Sequence, residues 1–188
     1  MQGDIERVLI SQDRIARRVR ELAEQITADH TPPRMPDGGE EITIVPILTG
    51  AFIFCGDLIR QIPLPIQIGL LTVSSYPGSS LRTQGSQLLG KQLGDVRGHH
   101  VLLIDDILDS GGTIKLVVPL LKELGAASVK SCVLLRKDRP AAKETVVDYV
   151  GFEIPDEFVV GYGLDYNNYY RNLPDIVTLR AEAIERKA

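Results

Sequence analysis

Apolar runs of strand length alternate along this chain with segments of helical spacing, and that alternation restricts the fold more than any other feature. The β-branched run Ile42–Leu48 is followed, after Thr49 and Gly50, by a helically spaced stretch over residues 51–62. Further apolar runs occupy residues 66–73, 101–104 and 129–135, and the last two flank a helical segment over about 113–124. Strand, helix, strand in repetition predicts an α/β fold with a mostly parallel twisted sheet flanked by helices. Ligands of such sheets gather at the carboxyl ends of the strands, so chemistry is expected there.

The rest of the chain frames that core. Ile5, Val8, Ile15, Val19, Leu22 and Ile26 recur at spacings of three to four, which predicts an amphipathic helix over 5–26 with Ser11 as a cap. Prolines and glycines over 29–41 predict a loop. Residues 77–100 are glycine-rich and poor in apolar anchors, which predicts an excursion, with a hairpin arm, suited to an active-site lid. At 188 residues the chain is expected to be one domain, 1–188, since domains run to roughly 100–200 residues.

Charge and composition exclude several function classes. Lys and Arg total 21 against 25 Asp and Glu, a net charge of −4, whereas a chain built to coat nucleic acid needs a basic surface. No apolar run approaches the roughly 18–20 residues of a membrane span, and the N-terminus lacks the pattern of a secretory leader, so neither membrane nor nucleic acid is an expected partner. Cys55 and Cys132 sit in apolar surroundings without a His or Lys neighbour, the signature of buried structural thiols in a reducing cytoplasm. His30, His99 and His100 lack metal-ligand spacing and are expected in surface loops.

The sharpest chemistry lies in Val-Leu-Leu-Ile-Asp-Asp-Ile-Leu-Asp-Ser-Gly-Gly-Thr, residues 101–113. Here a buried strand ends in Asp105 and Asp106, Asp109 follows, and Ser110, Gly111, Gly112 and Thr113 open a helix. That turn offers backbone N–H groups, two hydroxyls and a helix N-terminus to a phosphate. Three acids beside a phosphate require hydroxyls or Mg²⁺ between them and it. Asp105 and Asp106 can accept from vicinal ribose hydroxyls, and Asp109 is a candidate proton acceptor. Taken singly, each of these residues is more often a cap or a solvated strand end; the joint pattern is what points to function. No GxxxxGK[ST] occurs, and Gly161-Tyr162-Gly163 lacks the third glycine of a dinucleotide fingerprint.

This strand, acid pair and Ser-Gly-Gly-Thr turn resemble those of the phosphoribosyltransferases that bind phosphoribosyl pyrophosphate. Residues 150–166, Val-Gly-Phe-Glu-Ile-Pro-Asp-Glu-Phe-Val-Val-Gly-Tyr-Gly-Leu-Asp-Tyr, continuing to Tyr-Arg-Asn-Leu-Pro at 170–174, resemble the purine hood of hypoxanthine(-guanine) phosphoribosyltransferases. The resemblance spans about 42–179. It implies a type I phosphoribosyltransferase fold with a core over about 42–150, a flexible loop over about 75–90, and a small hood formed by the N-terminal segment and residues 151–188.

Position by position, the resemblance assigns Leu48, Thr49 and Gly50 to a pyrophosphate loop whose peptide is often cis, with Thr49 where many relatives carry Lys. It assigns Ser75 and Tyr76 to the closing loop, and Asp105 and Asp106 to the ribose, with water or the ribose hydroxyls as bridges to metal. Asp109 becomes the general base at purine N7 and residues 110–113 the 5′-phosphate turn. On the base side, Lys137 donates to O6, Phe158 stacks on the purine and Val159 contacts its edge. Asp165, beside the base, helps hold Mg²⁺, and Arg171 contacts pyrophosphate. The implied reaction is Mg²⁺-dependent transfer of 5-phosphoribose to N9 of hypoxanthine, and also guanine, by a cytoplasmic homodimer or homotetramer. A xanthine-preferring enzyme and an RNA-binding regulator on the same fold are the rivals; the net charge speaks against the second, and Lys137 disfavours adenine.

Overall fold

The computed structural model describes residues 1–30, 41–75 and 86–186. Strand β1 (Ile5–Ile10) leads into helix α1 (Gln12–Asp29), followed by β2 (Ile42–Leu48), α2 (Phe52–Ile59), β3 (Ile66–Ile68), β4 (Leu70–Ser75), β5 (Ser86–Gln92) and β6 (His100–Leu108). Then come α3 (Gly112–Glu123), β7 (Ser128–Lys137), α4 (Pro140–Lys143), β8 (Tyr149–Ile154), β9 (Ile176–Leu179) and α5 (Ala181–Glu185). The main sheet runs β5-β4-β2-β6-β7-β8, with β3 also beside β2. Every pairing in it is parallel except β4 with β5, which are the arms of the expected hairpin.

The period of two along β6 explains why helices cover both faces. Leu102 and Ile104 point to one side and join Ile15, Val19, Leu22 and Ile26 of α1 and Phe54 and Leu58 of α2. Val101 and Leu103 point to the other and meet Ile114, Val117 and Leu121 of α3. A strand buried on both faces has no use for alternating polar residues, hence the continuous apolar reading of 101–104. Arg18 ties α1 to the sheet edge by donating to the carbonyls of Gly151 (2.9 Å) and Val150 (2.8 Å).

Three expectations are corrected. Residues 5–10 form a strand, not the first turns of a helix: β1 pairs antiparallel with β9, placing Ile5 opposite Leu179 and Val8 opposite Val177. Ser11 does stand at the N-cap of α1, without a side-chain capping bond. The run 66–73 divides at Gly69, where a Cβ would approach the Leu93 carbonyl to 2.9 Å. His30 is not a surface residue: it is 3% exposed, and its Nδ1 lies 2.8 Å from the Ile26 carbonyl at the end of α1. Burial there closes the helix terminus, a use of histidine that spacing does not reveal.

Both cysteines are buried and unbridged, and loss of solvation pushes the Cys55 thiol up to about 11 and Cys132 higher still. No helix among the described residues is long and apolar enough to cross a membrane. β1, β9 and the cluster of Val160, Tyr170, Leu173, Val177 and Leu179 form a small hood from the two terminal segments.

Candidate active site

The ladder between β2 and β6 ends where Pro46 faces Ile104, while β6 continues against β7 as far as Leu108 opposite Arg136. Asp105 and Asp106 are therefore residues within the strand, four and three positions further in than a strand ending at Leu108 would free, and not the strand's end as the sequence suggested. They lie beyond the end of the β2–β6 ladder, at the carboxyl edge of the sheet. The Asp105 carboxylate accepts from the Asp106 N–H at 3.1 Å, and the Asp106 carboxylate accepts from the Ile107 N–H at 2.8 Å. Burial pushes both carboxyl groups upward, and the Asp106 charge raises Asp105 further; strand N–H groups and the Arg171 charge offset part of the effect at Asp106. A buried acid beside a half-buried one favours a ligand that brings hydroxyl donors or a cation.

Beyond Asp109 the chain turns through Ser110 into Gly111, whose φ is +77° and which caps α3. A Cβ at Gly111 would lie 2.0 Å from the Thr145 hydroxyl oxygen, so the turn is seated directly on a residue just past α4, whose hydroxyl donates to the Ala141 carbonyl. Glycine satisfies both demands, the left-handed dihedral and the close approach. The first N–H groups of a helix have no partners within it, and those of α3 face the carboxyl edge of the sheet.

On the other side of the acids, the Leu48–Thr49 peptide is cis and Thr49 is exposed. Gly50 passes so close to Asp106 that a Cβ would fall 1.8 Å from its Oδ2. Above Gly50 sits Gly163, at φ +106°, whose Cβ would meet the Gly50 carbonyl oxygen at 2.2 Å. Arg171 is fixed to the same point: its Nη1 donates to the Gly163 carbonyl at 2.7 Å and its carbonyl accepts from the Gly163 N–H at 2.9 Å. Arg171 Nη2 lies 2.8 Å from Asp165 Oδ1, while Asp165 Oδ2 accepts from the Asn168 N–H at 2.8 Å. Residues 48–50, Asp106, Gly163, Asp165 and Arg171 thus form one packed unit.

The third group surrounds Asp109. Lys137, at the end of β7 and 12% exposed, places Nζ 3.6 Å from Asp109 Oδ2 and 3.4 Å from Asp156 Oδ1. Arg139 donates from Nη1 to Asp109 Oδ1, and its Nε lies 3.1 Å from Asp156 Oδ2. The Asp109 carboxylate holds the Arg139 guanidinium above its usual range. Phe158 is 49% exposed, too open for a core aromatic, with its ring set edge-on to Tyr166 at 5.5 Å between centroids; Val159 beside it is buried.

The structure therefore brings Asp109 to Lys137, and residues 48–50 to Asp106, Asp165 and Arg171. Ser75 ends β4, and Tyr76 with the rest of the expected closing loop over 76–85 lies outside the described residues. Arg139, Asp156, Thr145 and Gly163 were missed from sequence. Arg139 follows Lys137 by two residues across a tight turn, its N–H donating to the Lys137 carbonyl at 2.8 Å, and nothing in the sequence announces that turn. Among the described residues no three His, Cys, Asp or Glu side chains converge as a metal cage. Asp165 is a single carboxylate at the rim, which suits Mg²⁺, an ion usually held by one or two carboxylates together with substrate phosphates and water.

Comparison with known proteins shows the family. Residues 9–167 match the phosphoribosyl transferase domain. The hypoxanthine phosphoribosyltransferase of Haemophilus influenzae is 42% identical over 167 residues, covering 88% of this chain and 90% of that protein. The crystal structure of a Staphylococcus aureus hypoxanthine phosphoribosyltransferase superposes with a TM-score of 0.86 at 37% identity, over 97% of this chain and 95% of that one. A Trypanosoma cruzi hypoxanthine phosphoribosyltransferase variant complexed with the product IMP superposes with a TM-score of 0.83 at 34% identity, over 98% and 95%.

Proposed function

Because this chain belongs to the hypoxanthine(-guanine) phosphoribosyltransferases, we propose that it carries 5-phosphoribose from phosphoribosyl pyrophosphate to N9 of hypoxanthine, and also of guanine, releasing pyrophosphate in purine salvage. The observation that carries the base assignment is the pair Lys137 and Asp109, 3.6 Å apart at the carboxyl edge of the sheet. A 6-oxopurine presents an acceptor, O6, next to an N7–H donor. An ammonium beside a carboxylate is the complement of that edge and mismatches a 6-amino group.

The chemistry follows from where charge develops. The bond from C1′ to the pyrophosphate oxygen breaks, the C1′–N9 bond forms, and Asp109 accepts the N7 proton as N9 becomes nucleophilic. The turn at 110–113 holds the 5′-phosphate and fixes C1′ in position. Asp105 and Asp106 accept from the ribose hydroxyls, and the burial of Asp105 limits the water that would compete for it. The backbone of residues 48–50 and the guanidinium of Arg171 face the leaving pyrophosphate. Phe158 covers the purine face, and Val159 meets its edge. Ser75 and Tyr76 open the segment that closes over the donor and excludes water. Asp165, and Asp105 and Asp106 through water or ribose hydroxyls, would hold a Mg²⁺, which would supply positive charge to the departing pyrophosphate. The assignment extends to a homodimer or homotetramer in the cytoplasm.

Release of pyrophosphate with hypoxanthine, guanine, xanthine and adenine tests the base assignment directly. Hypoxanthine and guanine are expected to react and adenine to react very poorly. Lys137→Ala should lower kcat/KM for hypoxanthine about ten- to a hundredfold, the worth of a charged hydrogen bond, and shrink the ratio of hypoxanthine to adenine use. A mutant that loses activity with its base preference intact would remove Lys137 from base reading. Asp165→Ala should shift the Mg²⁺ titration of activity to higher concentration, and an unchanged titration would place Asp165 away from the metal.

A further inference from the structure

Asp109, Lys137, Arg139 and Asp156 form a closed ring of two acids and two bases in which each cation lies between both carboxylates. Lys137 is 3.6 Å from Asp109 and 3.4 Å from Asp156; Arg139 donates to Asp109 and lies 3.1 Å from Asp156. If transfer to a 6-oxopurine is the reaction, as proposed above, the base and Arg139 compete for Asp109, because a guanidinium on Oδ1 neutralises the carboxylate that must take the N7 proton. The carboxylate is a better proton acceptor once Arg139 moves off it, and a cation moved off without a counter-ion would oppose binding. Asp156 removes that cost, because it already holds the other edge of Arg139. Its position on the segment after β8 also keeps it in contact with Lys137, so both cations stay paired when Asp109 is given up to the base.

From this geometry we infer that Arg139 and Asp156 are a counter-ion exchange beside the base: Arg139 rests on Asp109 in the empty site and passes to Asp156 when a 6-oxopurine takes Asp109 and Lys137. Asp156 is thereby a positioning residue that sets the affinity for the base without touching it. Arginine suits the role because its planar fork can contact two carboxylates at once, and a lysine in its place could serve only one edge. Asp156 and Arg139 are both about half exposed, so solvent moderates the effect without abolishing it.

Steady-state kinetics on the full chain, varying hypoxanthine and phosphoribosyl pyrophosphate separately, test the exchange. Asp156→Asn keeps the shape of the side chain and removes the charge, which confines Arg139 to Asp109. The KM for hypoxanthine should then rise about three- to fivefold, with the KM for the donor changing less than about 1.5-fold. Adding Arg139→Gln to that variant removes the displaced cation and should bring the KM for hypoxanthine back toward the wild-type value, and Asp156→Glu should behave as wild type. Rescue by a second substitution is something a purely structural role does not produce. The exchange is overturned if Asp156→Asn leaves the KM for hypoxanthine unchanged, raises both KM values together, or is not relieved by Arg139→Gln. If Asp156→Asn proves unstable in a thermal melt, a raised KM for hypoxanthine in the folded Asp156→Glu variant overturns it equally. A wild-type chain that releases no pyrophosphate with any 6-oxopurine is a different result, and it overturns the transferase reading itself.

Discussion

Asp109→Asn is expected to lower kcat by about 10²–10⁴-fold, the usual reach of a general base, while donor binding persists. The amide is isosteric, and the phosphate turn that begins at Ser110 rests on Thr145, not on the Asp109 side chain. What is lost is the acceptor for the N7 proton, so the effect belongs in turnover more than in the KM for the donor. The charge change also leaves Lys137 and Arg139 sharing only Asp156, with which both are already in contact. Stopped-time assays with saturating donor and hypoxanthine measure kcat, and protection from thermal unfolding by the donor reports its binding. Near-normal turnover would take Asp109 out of the proton-transfer step.

Gly163→Ala should reduce kcat/KM for the donor by roughly a hundredfold, although the substitution adds one methyl group outside the phosphate turn. The residue sits at φ +106°, where an L side chain is strained, and its Cβ would lie 2.2 Å from a backbone carbonyl that cannot rotate away. Relief requires the 161–173 segment and residues 48–50 to separate by more than an ångström. That separation carries Arg171 with it, because Arg171 and Gly163 exchange two hydrogen bonds. Displacements of that size at a reacting centre cost about 10²-fold through lost positioning alone. Inhibition by pyrophosphate should weaken in parallel, whereas binding of a nucleoside 5′-monophosphate, anchored at 110–113, should change far less. Equal loss at both ends of the substrate would mean that Gly163 supports the fold as a whole and not the pyrophosphate side.

Much of this site was legible because its parts are local in the chain. The acid pair, Asp109 and the Ser-Gly-Gly-Thr turn fall within nine residues, and the strand that carries them announces itself by its unbroken apolar character. Lys137 and Arg171 were legible only through a family resemblance, since an isolated cation in a sequence reads as a solvated charge. The errors have a common origin in distance along the chain. Residues 5–10 carry spacing that suits a helix, and only the partner strand β9, supplied by the far end of the chain, turns them into β1. Arg139 and Asp156 escaped notice for the same reason: their roles lie in a ring of charges assembled from the ends of β6, β7 and β8. The β6 strand outran its expected end because β7 keeps pairing with it through residues whose polarity, in isolation, signals a turn.

The pairing of β1 with β9 has a consequence for how the enzyme is assembled and taken apart. Ile5 meets Leu179 only after nearly the whole chain has been made, and closing so long a loop is entropically costly and slow. The same β9 holds the purine side in place, since Val160 and Val177 exchange both backbone hydrogen bonds. The hood is therefore the last unit that a growing chain can complete. Its release would loosen Phe158 and Arg171, and with them the part of the main core that Val159, Leu164 and Ile176 supply, while leaving Asp105, Asp106 and the phosphate turn anchored in the core sheet. Amide exchange should divide the protein along that line, fast over 158–179 and slow over 101–108, so that a nascent chain acquires a grip on ribose phosphate before it can choose a base.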